Sequence, residues 1–133
     1  MQKVRGYIFS SDFCGEKIPQ NVQNLYIRNY CKNNNLHYML SSVEYSIHNS
    51  VYILDGLFDE INNVNGVVFY SLYQLPINSL KRKEFCHKMV YLKKKIFFAL
   101  ENIIINKIED FEKIETLWQL KQVVISNKSI WYN

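Results

Sequence analysis

The sequence is poor in residues that interrupt regular structure. Only four Gly and two Pro occur among 133 residues, which is too few for a flexible linker or a low-complexity segment. The three Cys are irregularly spaced without a C-x-x-C pair, which argues against a disulfide framework and a structural zinc site. We therefore expect reduced thiols, partly buried, in a chain that folds as one domain over residues 1–122.

Several functional signatures are also missing. No run of about eighteen apolar residues and no signal-peptide pattern is present, so we expect a cytoplasmic protein without membrane insertion. Neither G-x-G-x-x-G nor a Walker-type loop occurs, which argues against ordinary dinucleotide or triphosphate binding, and we expect no cofactor. His37, His48 and the pair Cys86-His87 lack the spacing of metal ligands, so no metal site is predicted.

Charge is moderate, and its distribution is uneven. Sixteen Lys and Arg against twelve Asp and Glu give a formal charge of +4. Two basic runs, residues 81–83 and 93–95, bracket one predicted helix, and acidic residues crowd the next helix. A basic helix can face nucleic acid, but it can equally be solvated, and lysines at a helix C-terminus complement its dipole. We favour the solvated face, because no DNA-reading motif accompanies these runs.

Hydrophobic patterning predicts alternating strands and helices. Apolar runs at residues 4–9, 36–43, 67–70 and 96–100 are typical of buried strands, and helical patterns follow each of them. Such alternation favours right-handed crossovers and a parallel sheet covered on both faces. The predicted fold is one three-layer α/β domain with a mostly parallel sheet of four strands, or of five if the tail at 123–133 adds an edge strand.

Two predicted helices have clear apolar faces. The first follows Pro19, and its predicted inward face comprises Val22, Leu25, Tyr26, Asn29 and Tyr30. The last spans about residues 109–122, and its predicted inward face comprises Phe111, Ile114, Leu117 and Trp118. The tail after residue 122 could pair as a strand, dock on a partner or stay mobile.

All four predicted strands stop on polar residues. The exits carry Ser10 and Ser11, Glu44 and Tyr45, Tyr70 and Ser71, and Glu101. Because parallel strands end at one edge of a sheet, and open α/β sheets bind ligands at that edge, we expect these side chains to share one site.

The candidate residues fit several roles. Ser10 could be a nucleophile near a helix N-terminus, although Ser at such exits more often bonds to loop backbone. Glu44 and Glu101 could act as acid and base, or could cap a helix or pair with Arg28. Tyr rings could stack on a sugar. Gln20, Gln23 and Asn24, in the first turns of the first helix, could hold a substrate or simply cover the helix start.

The segments Gly6–Ser11 and Ser71–Leu75 resemble two signatures of serine recombinase catalytic domains, and the likeness spans roughly residues 4–105. This resemblance implies a resolvase-like fold. In that family, arginines that neutralise the scissile phosphate occupy positions that here hold Phe9, Tyr73 and Gln74. Neither Phe nor Gln replaces a bidentate cation, and no helix-turn-helix follows. The resemblance therefore argues against DNA as a partner and against strand exchange.

A second resemblance extends over nearly the whole chain. The stretches that carry it include residues 5–10, 15–16, 19–25, 28–31, 44–45, 70–76 and 98–101. They resemble the sporadic carbohydrate cluster proteins of bacterial surface-polysaccharide gene clusters. This likeness implies a role in capsule or O-antigen biosynthesis and adds Glu16 and Arg28 to the substrate-binding candidates.

Two functional hypotheses follow from these resemblances and the polar strand edge. The first is an enzyme acting on an activated or nucleotide-linked sugar, with Glu44, Glu101 and Ser10 as catalytic candidates. The remaining candidates would bind the substrate: Ser11, Glu16, Gln20, Gln23, Asn24, Arg28, Tyr45, Tyr70 and Ser71. The second is a non-catalytic sugar-binding or scaffold subunit for a polysaccharide-pathway enzyme. In both cases leftover apolar surface predicts a homodimer.

Overall fold

The computed structural model describes residues 1–9, 13, 15, 17–44 and 61–131, and for residues 40–44 and 126–131 it describes the backbone only. The predicted helix over about 51–61 falls almost wholly outside these ranges.

Five strands form one sheet: β1 (Gln2–Phe9), β2 (Leu36–Glu44), β3 (Gly66–Phe69), β4 (Lys95–Phe98) and β5 (Ile103–Ile105). Their order is β2-β1-β3-β4-β5, with β1 to β4 mutually parallel and β5 antiparallel to β4. The predicted mostly parallel α/β sheet is therefore confirmed. Its fifth strand comes from the residues directly after β4 and not from the C-terminal tail.

Helices cover both faces of this sheet. Helix α1 (Gln20–Asn33) packs on one face, where Ile27 and Cys31 join Val4 and Ile8 of β1 in a buried cluster. Helices α2 (Ser79–Tyr91) and α3 (Asp110–Trp131) belong to the larger cluster on the opposite face, which includes Tyr7, Phe69 and Phe98. The three-layer arrangement predicted from the alternating pattern is confirmed.

Strand β3 lies at the centre of the sheet, and all four of its residues are buried. A Cβ atom on Gly66 would collide with the backbone carbonyl of Lys95 in the neighbouring β4. The parallel pairing of β3 with β4 therefore requires glycine at this position.

Helix α1 turns a different face to the core from the one predicted. Val22, Leu25 and Tyr26 are exposed by 44%, 61% and 41%, and Asn29 is exposed as well, so the prediction was wrong for these four residues and is confirmed for Tyr30 alone. The buried residues are Gln23, Ile27, Tyr30 and Cys31. The reason is that the Gln23 side-chain amide forms hydrogen bonds with the end of β1. These bonds turn the Gln23 side of α1 towards the sheet and leave the more apolar neighbouring residues exposed.

Helix α3 begins with its acidic residues in the first turn, as predicted, and continues to Trp131. Phe111, Ile114 and Trp118 are buried and Leu117 is partly buried, which confirms the predicted inward face. The tail from residue 123 thus continues a helix and does not form an edge strand. Within the described ranges, no helix combines the length and the apolar character needed to cross a membrane.

Candidate functional site

The four parallel strands end at one edge of the sheet. Phe9 is opposite Glu44, and Phe69 is opposite Phe98. The predicted residues Tyr70, Ser71 and Glu101 follow β3 and β4 at this edge. Ser10, Ser11, Glu16, Tyr45 and the Glu44 side chain lie outside the described part of the chain.

Ser71 and Glu101 are in direct contact. The Ser71 hydroxyl donates to Glu101 Oε2 at 2.7 Å, and the Leu72 backbone N–H donates to Glu101 Oε1 at 2.9 Å. Ser71 is 1% exposed and its Oγ also accepts from the Tyr73 N–H at 3.2 Å. With its proton and a lone pair both engaged, this buried hydroxyl fastens the turn after β3 to the turn after β4.

Gln23 ties the same edge to helix α1. Its amide donates to the Phe9 carbonyl at 3.0 Å and to the Ile18 carbonyl at 2.8 Å. Its Oε1 accepts from the Phe9 N–H at 3.0 Å and from Gln74 Nε2 at 2.7 Å. All of its hydrogen-bonding capacity is therefore directed at protein groups while the side chain is fully buried.

Gln74 joins these two groups into one network. It is 1% exposed, and its Oε1 accepts from the Ser71 N–H at 3.2 Å while its amide donates to Gln23. We call Gln23, Gln74, Ser71 and Glu101 the strand-edge network. It connects the ends of β1, β3 and β4 with α1. Its side chains satisfy the hydrogen-bonding needs of buried backbone groups and of one another in the protein interior.

The remaining described candidates lie apart from this network. Tyr70 is half-buried among aromatic rings, with edge contacts to Phe13 at 6.2 Å and Tyr26 at 5.4 Å. Gln20 is exposed in the first turn of α1. Asn24 accepts a hydrogen bond from the Tyr38 hydroxyl at 2.7 Å.

Arg28 belongs to a different surface. Its guanidinium lies 5.3 Å from the centre of the Tyr38 ring, and it lines an open pocket with Leu36, the first residue of β2. Because α1 runs antiparallel to the strands, this pocket lies towards the opposite end of the sheet from the strand exits. The structure thus brings Gln23, Ser71 and Glu101 together and separates Arg28 from them.

Sequence reasoning did not assign Gln74 to the site, although a signal for it exists. Ser71-Leu72-Tyr73-Gln74 matches the capping-box pattern of Ser followed three residues later by Gln, and both reciprocal bonds form around the short 3-10 helix Leu72–Gln74. The pattern would have placed Ser71 in a structural role at a helix start.

Arg82 was also missed, because it lies in a basic run that was interpreted as solvated. It is 4% exposed. Its guanidinium forms a bidentate pair with Glu115 of α3 at 2.7 and 2.9 Å, donates to the carbonyls of Pro76 and Ile77, and stacks 4.1 Å above the Trp118 ring. No periodicity in the sequence distinguishes it from Lys81 and Lys83, which are exposed.

The two described thiols are unsuited to nucleophilic chemistry. Cys31 and Cys86 are buried and free. Burial raises the pKa of Cys31 to about 11. Burial, assisted by the charge of Glu115, raises the pKa of Cys86 to about 12. Both are therefore neutral at physiological pH. In the described ranges, no three His, Cys, Asp or Glu side chains are grouped to hold a metal ion.

This fold is of the resolvase type, an α/β domain with a central, mostly parallel sheet. The solved structures that match include the N-terminal catalytic domain of TP901-1 integrase, with a TM-score of 0.68 and 13% sequence identity over 99% of this chain and 100% of that one. No family model matches the sequence, and no curated protein does. At this identity the likeness establishes the fold alone.

These comparisons correct the functional expectation. Membership of the sporadic carbohydrate cluster family is unsupported, because no family model matches. The prediction of a role in surface-polysaccharide biosynthesis was wrong: the likeness found is to a serine integrase catalytic domain. A sugar substrate and a polysaccharide-pathway partner are likewise unsupported. The resolvase-like fold that the first resemblance implied is confirmed.

The three positions where recombinases carry arginines have structural roles here. Phe9 packs edge-on against Tyr7 and Phe13 at 5.5 and 5.8 Å. Tyr73 packs against Trp118, and its hydroxyl donates to the Leu117 carbonyl at 3.3 Å. Gln74 is a member of the strand-edge network. None of these three side chains can neutralise a phosphate.

Proposed function

We propose that this chain is a non-catalytic resolvase-fold protein that acts by self-association, with the distal half of α3 as its dimer interface. The observation that carries the proposal is the exposed apolar surface of this segment. Leu120, Val123, Val124 and Ile125 are exposed by 40–55% although they follow directly on the buried Trp118. We call these four residues the α3 patch.

The length of α3 supports this proposal. At ~1.5 Å per residue its 22 residues extend about 33 Å. Among the α3 residues whose side chains the structure describes, 110–125, the buried ones are Phe111, Ile114 and Trp118, and they lie in the first nine residues of the helix. Residues 119–125 therefore follow the described residues that hold the helix on the core, and an exposed run of Val and Ile is costly unless another surface covers it.

A second copy of the chain is the occupant that suits this helix. Leu120, Val123 and Val124 recur at the three- and four-residue spacing of a helix–helix seam, which can pair with itself about a two-fold axis. The sequence from Leu120 onward has two lysines and no Asp or Glu, so two α3 patches can meet without bringing acidic side chains together.

The absence of catalysis is proposed from the strand-edge network. Both oxygens of Glu101 accept hydrogen bonds, the Ser71 hydroxyl is buried, and the recombinase arginine positions are occupied by Phe9, Tyr73 and Gln74. Together these features support an edge that stabilises the domain and does not bind a scissile phosphate.

Oligomeric state tests the interface. Sedimentation velocity from about 1 to 100 µM should give a dimer for the unmodified chain and a monomer for Val123→Glu. Ile77→Glu is the matched control, because Ile77 is a 79% exposed apolar residue that lies outside the α3 patch. It should leave the dimer intact. A monomeric unmodified chain, or equal dissociation by both variants, would contradict the proposal.

A separate measurement tests the absence of catalysis. The chain is incubated with supercoiled and linear duplex DNA and analysed for protein covalently attached to DNA. We expect no such product. A covalent complex that disappears in Ser10→Ala or in Ser11→Ala would show instead that the strand edge performs phosphoryl transfer.

A further inference from the structure

The pocket beside Arg28 is distinct from both the strand edge and the α3 patch. It has a volume of about 380 Å³ and lies between the second half of α1 and the beginning of β2. Arg28, Lys32 and Asn35 line one side, and Leu36 and Tyr38 line the other. This volume is within the range of small-ligand pockets.

The side chains that line this pocket carry positive charge, and none of the described lining residues is acidic. Arg28 and Lys32 are one turn apart on α1, where like charges destabilise a helix. The sequence has no Asp or Glu from residue 1 to 9 or from residue 17 to 43, whereas these stretches contain five Lys and Arg.

Arg28 is held in position for binding. Its guanidinium stacks over the Tyr38 ring, and Tyr38 is itself fixed by the hydrogen bond from its hydroxyl to Asn24. Within the described residues the Arg28 guanidinium has no hydrogen bond to a protein acceptor. Its N–H groups are therefore available for a bidentate oxyanion.

Two cations in a lining whose described residues include no Asp or Glu match a dianion, and a phosphate monoester carries nearly two charges at neutral pH. A bare phosphate would leave most of 380 Å³ unfilled. The apolar side chain of Leu36 and the Tyr38 ring offer contacts to an attached organic group. Cys31, which also lines the pocket, is neutral because burial raises its pKa to about 11, so it does not repel an anion.

We propose that this pocket binds a phosphorylated small molecule of nucleotide size, with Arg28 and Lys32 as the phosphate ligands. Arg28 would bind two phosphate oxygens in the plane of its guanidinium, and the Lys32 ammonium would approach from the next turn. The site is independent of the proposed dimer interface.

Isothermal titration calorimetry with adenosine monophosphate and inorganic phosphate tests this site. Adenosine monophosphate should bind measurably below about 10 mM and more tightly than phosphate. Arg28→Gln and Lys32→Gln should each weaken binding by about tenfold or more, because each removes a charge-assisted contact. Lys83→Gln is the matched control, since Lys83 is an exposed lysine on α2 on the opposite face of the sheet, and it should bind as the unmodified chain does.

Three results would overturn the proposal. No binding of either ligand at 10 mM would remove the site. Equal weakening by Lys83→Gln would assign the interaction to overall charge. Tighter binding of a short DNA strand that lacks a terminal phosphate would make the diester backbone the ligand instead. Circular dichroism melts of all variants establish that they are folded, which is expected because Arg28, Lys32 and Lys83 are exposed.

Discussion

Replacing Gln23 by Met should destabilise the domain more than any other change to a neutral polar side chain of the strand-edge network. The substitution keeps the length of the side chain but removes all four of its hydrogen bonds. The groups left without partners are the N–H and carbonyl of Phe9, the carbonyl of Ile18 and the amide of Gln74. A buried polar group without a partner costs about 1–3 kcal/mol. Because the three backbone groups are partly buried and can be hydrated in part, we expect a total loss of about 3 kcal/mol.

Urea unfolding followed by circular dichroism measures this loss. With a slope of about 1–3 kcal/mol per molar urea, the midpoint should fall by about 1–3 M. Gln20→Met on the exposed side of the same helix turn is the control and should change stability by less than about 0.5 kcal/mol. The double variant Gln23→Met/Gln74→Met should be less destabilised than the sum of the two single variants, because both singles break the same bond. A Gln23→Met midpoint equal to that of Gln20→Met would refute the structural role of the network.

Three further predictions concern other buried or capping groups. Arg82→Met should lower the free energy of urea unfolding by about 3 kcal/mol, because it leaves the Glu115 carboxylate without its bidentate partner. Arg82→Lys should not restore this stability, because an ammonium cannot form the bidentate pair; full restoration by Lys would contradict the role of that pair. At pH 8 at most one of the three thiols should react rapidly with a disulfide reagent in the native chain, and all three should react in urea, because burial raises the pKa values of Cys31 and Cys86 to about 11 and 12. The stability that comes from keeping these two thiols protonated persists below pH 9 and falls as the pH rises from 9 towards those values. Backbone N–H donors lower the pKa of Asp110, so its carboxylate stabilises the fold at pH values above its ordinary pKa of about 3.9, and this stabilisation is lost as the pH falls through the lowered pKa. Asp110→Asn should therefore be less stable than the unmodified chain at pH 7, and the difference in free energy of unfolding should shrink below about pH 4 when unfolding curves of both are compared.

The topology was predictable because the strands are short buried apolar runs with clear polar ends. Strand β3 illustrates this, since all of its residues are buried and only a central parallel strand buries both faces. The fifth strand was not predictable from the pattern. Ile103–Ile105 is a three-residue run whose role depends on the turn that Glu101 and Asn102 make, and Asn102 adopts a left-handed conformation with φ of 55°.

The candidate site was predictable in position and only partly in content. The strand exits do meet at one edge, and they bring Ser71 and Glu101 into contact. The mutual arrangement of Gln23 and Gln74 was not predictable, because it joins residues 51 positions apart through their side chains. Arg28 lies apart from the site because it belongs to the second half of α1, which runs antiparallel to the strands and carries it towards the beginning of β2.

The inward orientation of Gln23 explains why the apolar pattern of α1 predicted the wrong face for this helix. Val22, Leu25 and Tyr26 are more apolar than Gln23, but burying Gln23 satisfies both backbone groups of Phe9 at the end of β1. An amide with every bond formed loses little on burial, whereas unpaired backbone groups at a strand end would cost more.

Sedimentation velocity of the unmodified chain beside Val123→Glu and Ile77→Glu tests the central proposal most directly. We expect a species of twice the 15.9 kDa chain mass for the unmodified protein and for Ile77→Glu, and a single-chain species for Val123→Glu. A single-chain mass for the unmodified protein at about 100 µM, or a dimer that persists in Val123→Glu, would contradict the assignment of the α3 patch as the interface.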